Sequence, residues 1–439
     1  MRQNTGHETA GFTALLFLAA MLCAGVSTAQ GPENEFGFIL HILGNANLDD
    51  RIDESDINYI KYVISGAKPA TNLTDANNDS KIDELDIEQI KAIIRGDENN
   101  ITFIDSHNKT VSLKMPISRI VLFDAADAMQ ILGCQDLLVG VGESFKTYYP
   151  NRYPGFSKKP GVGLSDAEAV LKAQPDIIIG ASSSLESQLP SEIKLKVVRF
   201  ETWGGVVSGG SSGSDGQATV KDSIAIMGYL FNASEKAAEY LEWNTKYMDK
   251  ISDRVSSIPE DEKVRVYVES TPESKNTLTS RTAVGKGHAA NMLIEIAGGK
   301  NIFAGQGRIP MYKNTGREYG EIETEWVLGQ NPEAIVGRAM GAGILAYEMD
   351  NSSRLEAYRN DIMGLPGFDK ITAVKDNRVY IITNDGSLSP NYPSTTIYLA
   401  KCFYPDLFQD IDPIAVCQEY MDMMGLSLNV SQHSTFWYP

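Results

Sequence analysis

Cysteine, histidine and tryptophan are scarce in this chain: four, five and four in 439 residues. A disulfide-stapled scaffold is excluded at that density. Cys23 belongs to an early apolar run, which leaves Cys134, Cys402 and Cys417. Two arrangements stay open for these three, a single bridge such as Cys402–Cys417 or buried free thiols. The sequence holds no His-Glu-x-x-His, no P-loop and no Ser/His/acid set that would mark a hydrolase. Gly209-Gly210-Ser211-Ser212-Gly213 fits the nucleophile-elbow spelling but sits inside the Gly/Ser-rich stretch 204–216, without the strand and helix that motif needs. Basic residues are also short, 39 Lys and Arg against 57 Asp and Glu, a net charge of −18. That balance argues against nucleic acid or an anionic membrane as partner. Long apolar runs are missing as well. Leu15 to Cys23 is too short to span a bilayer. With Arg2 before it and Ser27-Thr28-Ala29 after it, residues 1–30 read as a secretory signal peptide.

What the chain does have is a repeat. Asn45, Asn47, Asp49, Asp53 and Asp56 recur 30 residues later as Asp75, Asn77, Asp79, Asp83 and Asp86. The helical stripe behind them recurs too: Ile57, Ile60, Val63 and Ile64 match Ile87, Ile90, Ile93 and Ile94. Oxygen side chains at loop positions 1, 3, 5, 9 and 12, with a backbone carbonyl from position 7, can enclose Ca²⁺. Position 7 is Arg51 in one copy and Lys81 in the other, so only their carbonyls would be used. Both copies depart from the full EF-hand pattern. Position 12 is Asp, position 6 is Asp50 or Ser80 rather than Gly, and position 1 of the first loop is Asn. Residues 45–99 carry −7 of the total charge, which two bound cations would partly offset.

This pair resembles a dockerin domain, the calcium-loaded half of the dockerin–cohesin plug, over residues 37–98. The resemblance implies a small all-α calcium-binding module, two Ca²⁺ ions as cofactor and a cohesin-bearing partner. It also implies that positions 10 and 11 of each loop, Glu54 and Ser55, then Glu84 and Leu85, contact that partner.

Polar residues 96–100 read as a short linker. Ile101–Met115 alternates as a hairpin. Buried strands at Ile120–Phe123, Leu137–Val141, Asp176–Ile179 and Val197–Phe200 alternate with helices at Asp127–Leu132 and Asp166–Ala173, the pattern of a parallel α/β lobe. A helical tract follows from Ala218 to Ile258. It is interrupted at Asn232-Ala233-Ser234-Glu235, so that two helices are expected, the second about 23 residues long. A second α/β set then appears at Arg265–Glu269, Ala289–Ala297, Ala334–Val336 and Arg378–Thr383. The two sets echo each other. Glu168 to Pro175 and on to Ile177-Ile-Ile-Gly180 parallels Glu325 to Pro332 and on to Ala334-Ile-Val-Gly337.

Residues 101–425 resemble a substrate-binding protein of the ABC importers for ferric siderophores, haem and vitamin B12. The resemblance rests on Arg119-Ile-Val-Leu-Phe, Leu137-Val-Gly-Val, the Glu…Pro-Asp-Ile-Ile-Ile unit, Ala297-Gly-Gly-Lys-Asn, Lys375-Asp-Asn-Arg-Val-Tyr and Leu399-Ala-Lys…Tyr404-Pro405. It implies two α/β lobes (101–217 and 262–425) joined by bridging helices (218–258), a cleft for an iron-siderophore, haem or corrinoid ligand, and no catalysis. It further implies that Glu168 and Glu325 dock on an ABC permease. Residues expected to face the cleft are Tyr148, Tyr149 and Trp203 from the first lobe, with Arg281, His288, Arg317, Tyr319 and Arg338 from the second. Arginine can hold a carboxylate-bearing chelate bidentately. Zinc and manganese receptors of related shape gather several cleft histidines, and His41, His107 and His433 lie outside the cleft loops. The expectation is a secreted or surface-associated receptor held by its dockerin. The alternatives are a dockerin-delivered extracellular enzyme, carbohydrate-active or other, or a structural adhesin.

Overall fold

The computed structural model describes residues 36–202, 219–270, 276–306, 318–341, 343–433 and 435–439. The leader, the Gly/Ser-rich stretch with its Gly209–Gly213 motif, Trp203 and Arg317 lie outside those residues. After the N-terminal repeat comes an antiparallel hairpin, β1 (Asn100–Ile104) with β2 (Thr110–Lys114), in the register Ile101 to Leu113 and Phe103 to Val111.

The first lobe is a parallel sheet of β3 (Ile120–Leu122), β4 (Leu138–Gly142), β5 (Gly161–Val162), β6 (Ile177–Ile179) and β7 (Val197–Val198), ordered β5-β4-β3-β6-β7. Its central strands, Ile-Val-Leu and Ile-Ile-Ile, are buried at every position, as a sheet covered on both faces requires. The second lobe contains β8 (Arg265–Ser270), β9 (Ser280–Val284), β10 (Lys300–Asn301), β11 (Tyr319–Glu323), β12 (Ala334–Ala339), β13 (Val379–Thr383) and β14 (Trp437–Tyr438). Its order is β11-β9-β8-β12-β13-β14, with β10 beside β8. β8, β12 and β13 run parallel, whereas β9, β11 and β14 are antiparallel to their neighbours. The sheet therefore takes in Trp437 and Tyr438, past the expected boundary at 425. Helices Val220–Leu230 and Ser234–Val255 connect the lobes. The second, at 22 residues, is about 33 Å long. Tyr240, Trp243 and Ile251 on this helix join one apolar body shared by both sheets.

The echo in the sequence is an echo in structure. Helices Ala167–Ala173 and Thr324–Gln330 each end in a left-handed residue, Gln174 at φ 47° and Asn331 at φ 46°, followed by proline and a buried strand. Asp176 accepts a bond from the Arg119 backbone N–H at 2.9 Å, and Glu333 does the same for Arg265 at 2.9 Å. The guanidinium of Arg119 donates to the carbonyls of Ala173 and Gln174, and that of Arg265 to those of Gln330 and Asn331. Each arginine thus satisfies the orphan carbonyls at the end of its short helix. Gly180, at the end of one unit, sits at φ +77°, and a Cβ there would run into the Asp124 Cβ.

Residues 96–100 do not behave as a free linker. Glu98 is buried and accepts a bond from Tyr229 at 2.8 Å. Residues 36–44 lie along the hairpin: Ile42 bridges Phe103, Leu43 N–H donates to Thr102, and Ile104 N–H donates to His41. Phe38, Leu40, Ile42 and Ile93 belong to the main core. No helix among the described residues is long and apolar enough to cross a membrane.

Candidate functional site

Open parallel sheets bind ligands at the carboxyl ends of their strands. In the first lobe that edge carries Asp127, just after β3, and Tyr148 to Tyr153, after β4. In the second it carries Ser270, Arg338, residues 343–349 and Asn384–Asp385. Arg152 joins the two. Its guanidinium makes a two-point contact with Asp127 (Nε to Oδ1 2.9 Å), lies 4.5 Å from the centre of the Tyr347 ring and 4.0 Å from Asp385. Tyr153 donates to the same Asp127 oxygen at 2.8 Å. The Asn151 and Arg152 backbone N–H groups donate to Glu348 of the second lobe, each at 3.1 Å. Arg152 is 1% exposed. Burial opposes its charge, but Asp127 and the nearby phenols hold its pKa above the usual guanidinium value. Asp385 is pushed above the carboxylate range by burial, with Arg152 opposing. Its Oδ1 and the Tyr347 and Tyr420 hydroxyls are buried without a hydrogen-bond partner.

A second group stands on the second-lobe edge. Arg338, near the end of β12, donates to Asn384 (Nε 2.8 Å) and Ser270 (3.2 Å), and its Nη1 lies 3.3 Å from His288 Nε2. His288 caps helix Ala289–Ile296 by accepting from the Ala290 N–H, and its ring stacks on Tyr319 at 6.2 Å. Because Asn384 and Asp385 are adjacent, this group continues into the Arg152 group along one polar line across the lobes.

Of the residues expected at the cleft, His288, Tyr319 and Arg338 are brought together. Tyr148 is 61% exposed, and Tyr149 is partly buried with its ring 5.9 Å from Arg152. Trp203 and Arg317 lie outside the described residues. Arg281 is corrected. It is buried in β9, paired with Glu269 (Nε 3.0 Å, Nη2 2.6 Å) and with Asp361 (2.8 Å), and Tyr358 donates to the same Glu269. A guanidinium saturated by two carboxylates inside the sheet layer is a structural ion pair, not a ligand anchor. Asp127, Arg152, Tyr347, Glu348 and Asp385, which the sequence does not single out, are brought to the same edge by the fold. Arg152 had one available signal, since it follows two tyrosines in the same post-strand loop. The cysteines settle as free thiols, with no Cys402–Cys417 bridge. Burial pushes Cys134 up to about 11, and Cys402 and Cys417 up to about 12, which leaves none of them nucleophilic.

The two acidic loops share one hydrogen-bond pattern at the 30-residue offset. Asp49 N–H donates to Asn45 and Asn47, and Asp79 N–H to Asp75 and Asn77. Asn47 and Asp53 N–H groups donate to Asp56, and Asn77 and Asp83 N–H groups to Asp86. Arg51 and Lys81 N–H groups donate to Asp49 and Asp79. Asp53 and Asp83 also cap helices Glu54–Ile64 and Glu84–Arg95 through capping boxes. Burial and the neighbouring carboxylates Asp49 and Asp53 push Asp56 up to about 7, against the pull of backbone N–H groups. Asp86 is raised by burial in the same way. Among the described residues no three His, Cys, Asp or Glu side chains form a metal cluster. The loops offer a mixed set of Asn, Asp and carbonyl oxygens instead, the donor chemistry Ca²⁺ takes, and a cation would relieve the buried Asp56. Glu54, Ser55, Glu84 and Leu85 lie on the first turns of the two helices, and Leu85 is 58% exposed. Glu168 and Glu325 are exposed on the first turns of Ala167–Ala173 and Thr324–Gln330.

No curated protein matches the chain. Solved structures do match in fold. A TroA-like periplasmic binding protein, FepB, from Veillonella parvula superposes with a TM-score of 0.57 at 22% identity, covering 73% of this chain and 95% of its own. The molybdate-bound periplasmic protein MolA of Haemophilus influenzae gives 0.55 at 20%, covering 74% and 97%. CeuE of Helicobacter pylori with Ni(II) bound gives 0.51 at 17%, covering 77% and 99%. The family model described as periplasmic binding protein matches residues 126–385. That match starts after the acidic repeat and ends at Asp385, and it takes in the strands from β4 to β13, the connecting helices and the polar line between the lobes: the chain belongs to the periplasmic binding protein family.

Proposed function

We propose that the protein is the solute receptor of an ABC importer and that its ligand is an anionic metal complex, such as an iron chelate bearing carboxylates. The observation that carries this reading is Arg338, fixed by Asn384, Ser270 and His288 at the carboxyl edge of β8 and β12, with Tyr319 beside it. Arg338 is 6% exposed with its nitrogens engaged by Asn384, Ser270 and His288, so what it offers an anion at this edge is a fixed positive charge, and aromatic walls suit a chelate's organic shell. MolA with molybdate and CeuE with Ni(II), two proteins of this fold, support a metal-bearing ligand. Tryptophan fluorescence and calorimetric titration with ferric siderophores, haem, cobalamin and molybdate test it. One ligand should bind saturably, and Arg338→Ala should weaken it about 10- to 100-fold, through loss of that charge beside the anion. A folded protein that binds none of the panel would sink the reading.

The N-terminal repeat is, in the same proposal, a calcium-dependent dockerin that holds the exported receptor to a cohesin-bearing partner, through Glu54, Ser55, Glu84 and Leu85. The matched loop geometry and the exposure of Leu85 support it. A plugged receptor stays at high local concentration beside its permease, whereas a free one diffuses away. Pull-down by cohesin modules, abolished by EDTA, tests the tether.

A further inference from the structure

The two acidic loops are alike within themselves and different in what surrounds them. In the second, Asp79, Ser80 and Lys81 are exposed, and Ser80 takes the left-handed φ of 68°. In the first, Asn45, Asp49 and Asp50 are buried. Asn45 donates its amide to the carbonyls of Leu40 (2.8 Å) and Asp49 (2.6 Å), and Leu40 N–H returns a bond to the Asp49 carbonyl at 2.9 Å. Asp50 accepts from the Phe36 N–H at 2.7 Å, and the Phe36 carbonyl accepts from Lys221 at 2.8 Å. His41, on the same segment, donates its backbone N–H to Asp222 at 3.1 Å, and its Nδ1 stands 3.2 Å from the other oxygen of that carboxylate. Lys221 and Asp222 open helix Val220–Leu230, which packs on the 22-residue helix between the lobes. The first loop is therefore wired through residues 36–44 to the element that sets the lobes relative to each other.

We infer that loop 45–56 is a weld: its loading with Ca²⁺ locks residues 36–44 onto the first turn of helix Val220–Leu230 and so stabilises the binding domain, while loop 75–86 is joined to that domain through its own helix, where Tyr229, at the other end of Val220–Leu230, donates to Ile93 and Glu98. This rests on the calcium reading of the loops. Loading fixes the carbonyls and side chains at positions 1, 5 and 7, and two of those residues, Asn45 and Asp49, already hold Leu40. A ligand that binds only the folded form stabilises whatever folds cooperatively with its site. The shared core of Phe38, Leu40 and Ile42 with Phe103 makes that unit larger than the repeat.

Scanning calorimetry of the full chain and hydrogen exchange read peptide by peptide, in excess Ca²⁺ and in EDTA, test this. Calcium should raise the main transition by about 4 °C and slow exchange in 36–44 and 220–230. Asp56→Ala should remove the slowing at 36–44 and 220–224, around Lys221 and Asp222, and Asp86→Ala should keep it there. Calcium binding by titration without any change at 220–230 in the wild-type chain would overturn the weld and leave the calcium reading standing. No calcium binding would overturn both. Chelation of the wild-type protein gives the answer even where Asp56→Ala fails to fold.

Discussion

At the scale of single residues, the chain spends its buried charges in three different ways, and each predicts a different failure. Arg152 and Asp127 form a fully buried pair, so removing one partner strands the other. Asp127→Ala should cost about 3–5 kcal/mol, the usual penalty for an orphaned buried charge, measured by denaturant unfolding. Arg281 and Glu269 are the same device inside one lobe. Arg338 is buried and bonded to Asn384, Ser270 and His288, so under the proposed function Arg338→Ala should cost stability as well as affinity. His41 is the fourth case. Its pKa is raised: burial works against the charge, and Asp222 overrides it. A histidine raised in the folded state contributes its full stability below its unfolded pKa of about 6.5 and loses it as pH climbs through the folded value. Asp222 is raised by burial too, with His41 opposing, which tilts the pair the same way. The wild-type melting temperature, relative to His41→Gln, should therefore be higher at pH 6 than at pH 8. Equal differences at both pH values would remove His41 from the junction's energetics.

At the scale of elements, legibility followed burial. The central strands showed in the sequence because both faces are covered, giving unbroken runs such as Ile177-Ile178-Ile179. The long helix showed through its period and came out one residue shorter than expected. β9, β11 and β14 did not show. β9 opens with Ser280-Arg281-Thr282, a polar run in which Arg281 is buried because Glu269 and Asp361 pair with it, and Asn276 accepts the Thr282 backbone N–H. No local pattern reports a partner 12 or 80 residues away, which is also why Arg281 read as a ligand anchor. Residues 96–100 read as a loop from their polarity and are exposed except at Glu98, which no local pattern marks and which its bond with Tyr229 buries. The hairpin element supplies its own test. Phe103 is fully buried, bridges Ile42 and stacks on Phe200 at 5.9 Å. Phe103→Ala should destabilise by about 3–5 kcal/mol and broaden exchange in residues 36–44, read by chemical denaturation and hydrogen exchange.

At the scale of the molecule, the two repeat units place Glu168 and Glu325 in equivalent positions, one per lobe. Each lies on the first turn of a seven-residue helix that precedes a central strand. A helix that turns back into its strand runs antiparallel to it, so its first turn lies toward the strand's carboxyl edge, the edge where the cleft residues gather. The two glutamates therefore mark the same side of the molecule as the polar line between the lobes. A permease reading both would sense the spacing of the lobes, with the 22-residue helix setting that spacing. Charge at such a rim governs association more than the receptor's own fold. Glu168→Ala and Glu325→Ala should each leave ligand affinity and melting temperature unchanged. Each should weaken binding to the permease, and the double substitution should remove ligand-stimulated ATP hydrolysis by a permease reconstituted in membrane discs. If the double variant still stimulates the permease as the wild type does, docking runs through another surface, and the acidic β11 rim at Glu321 and Glu323 is the next place to cut.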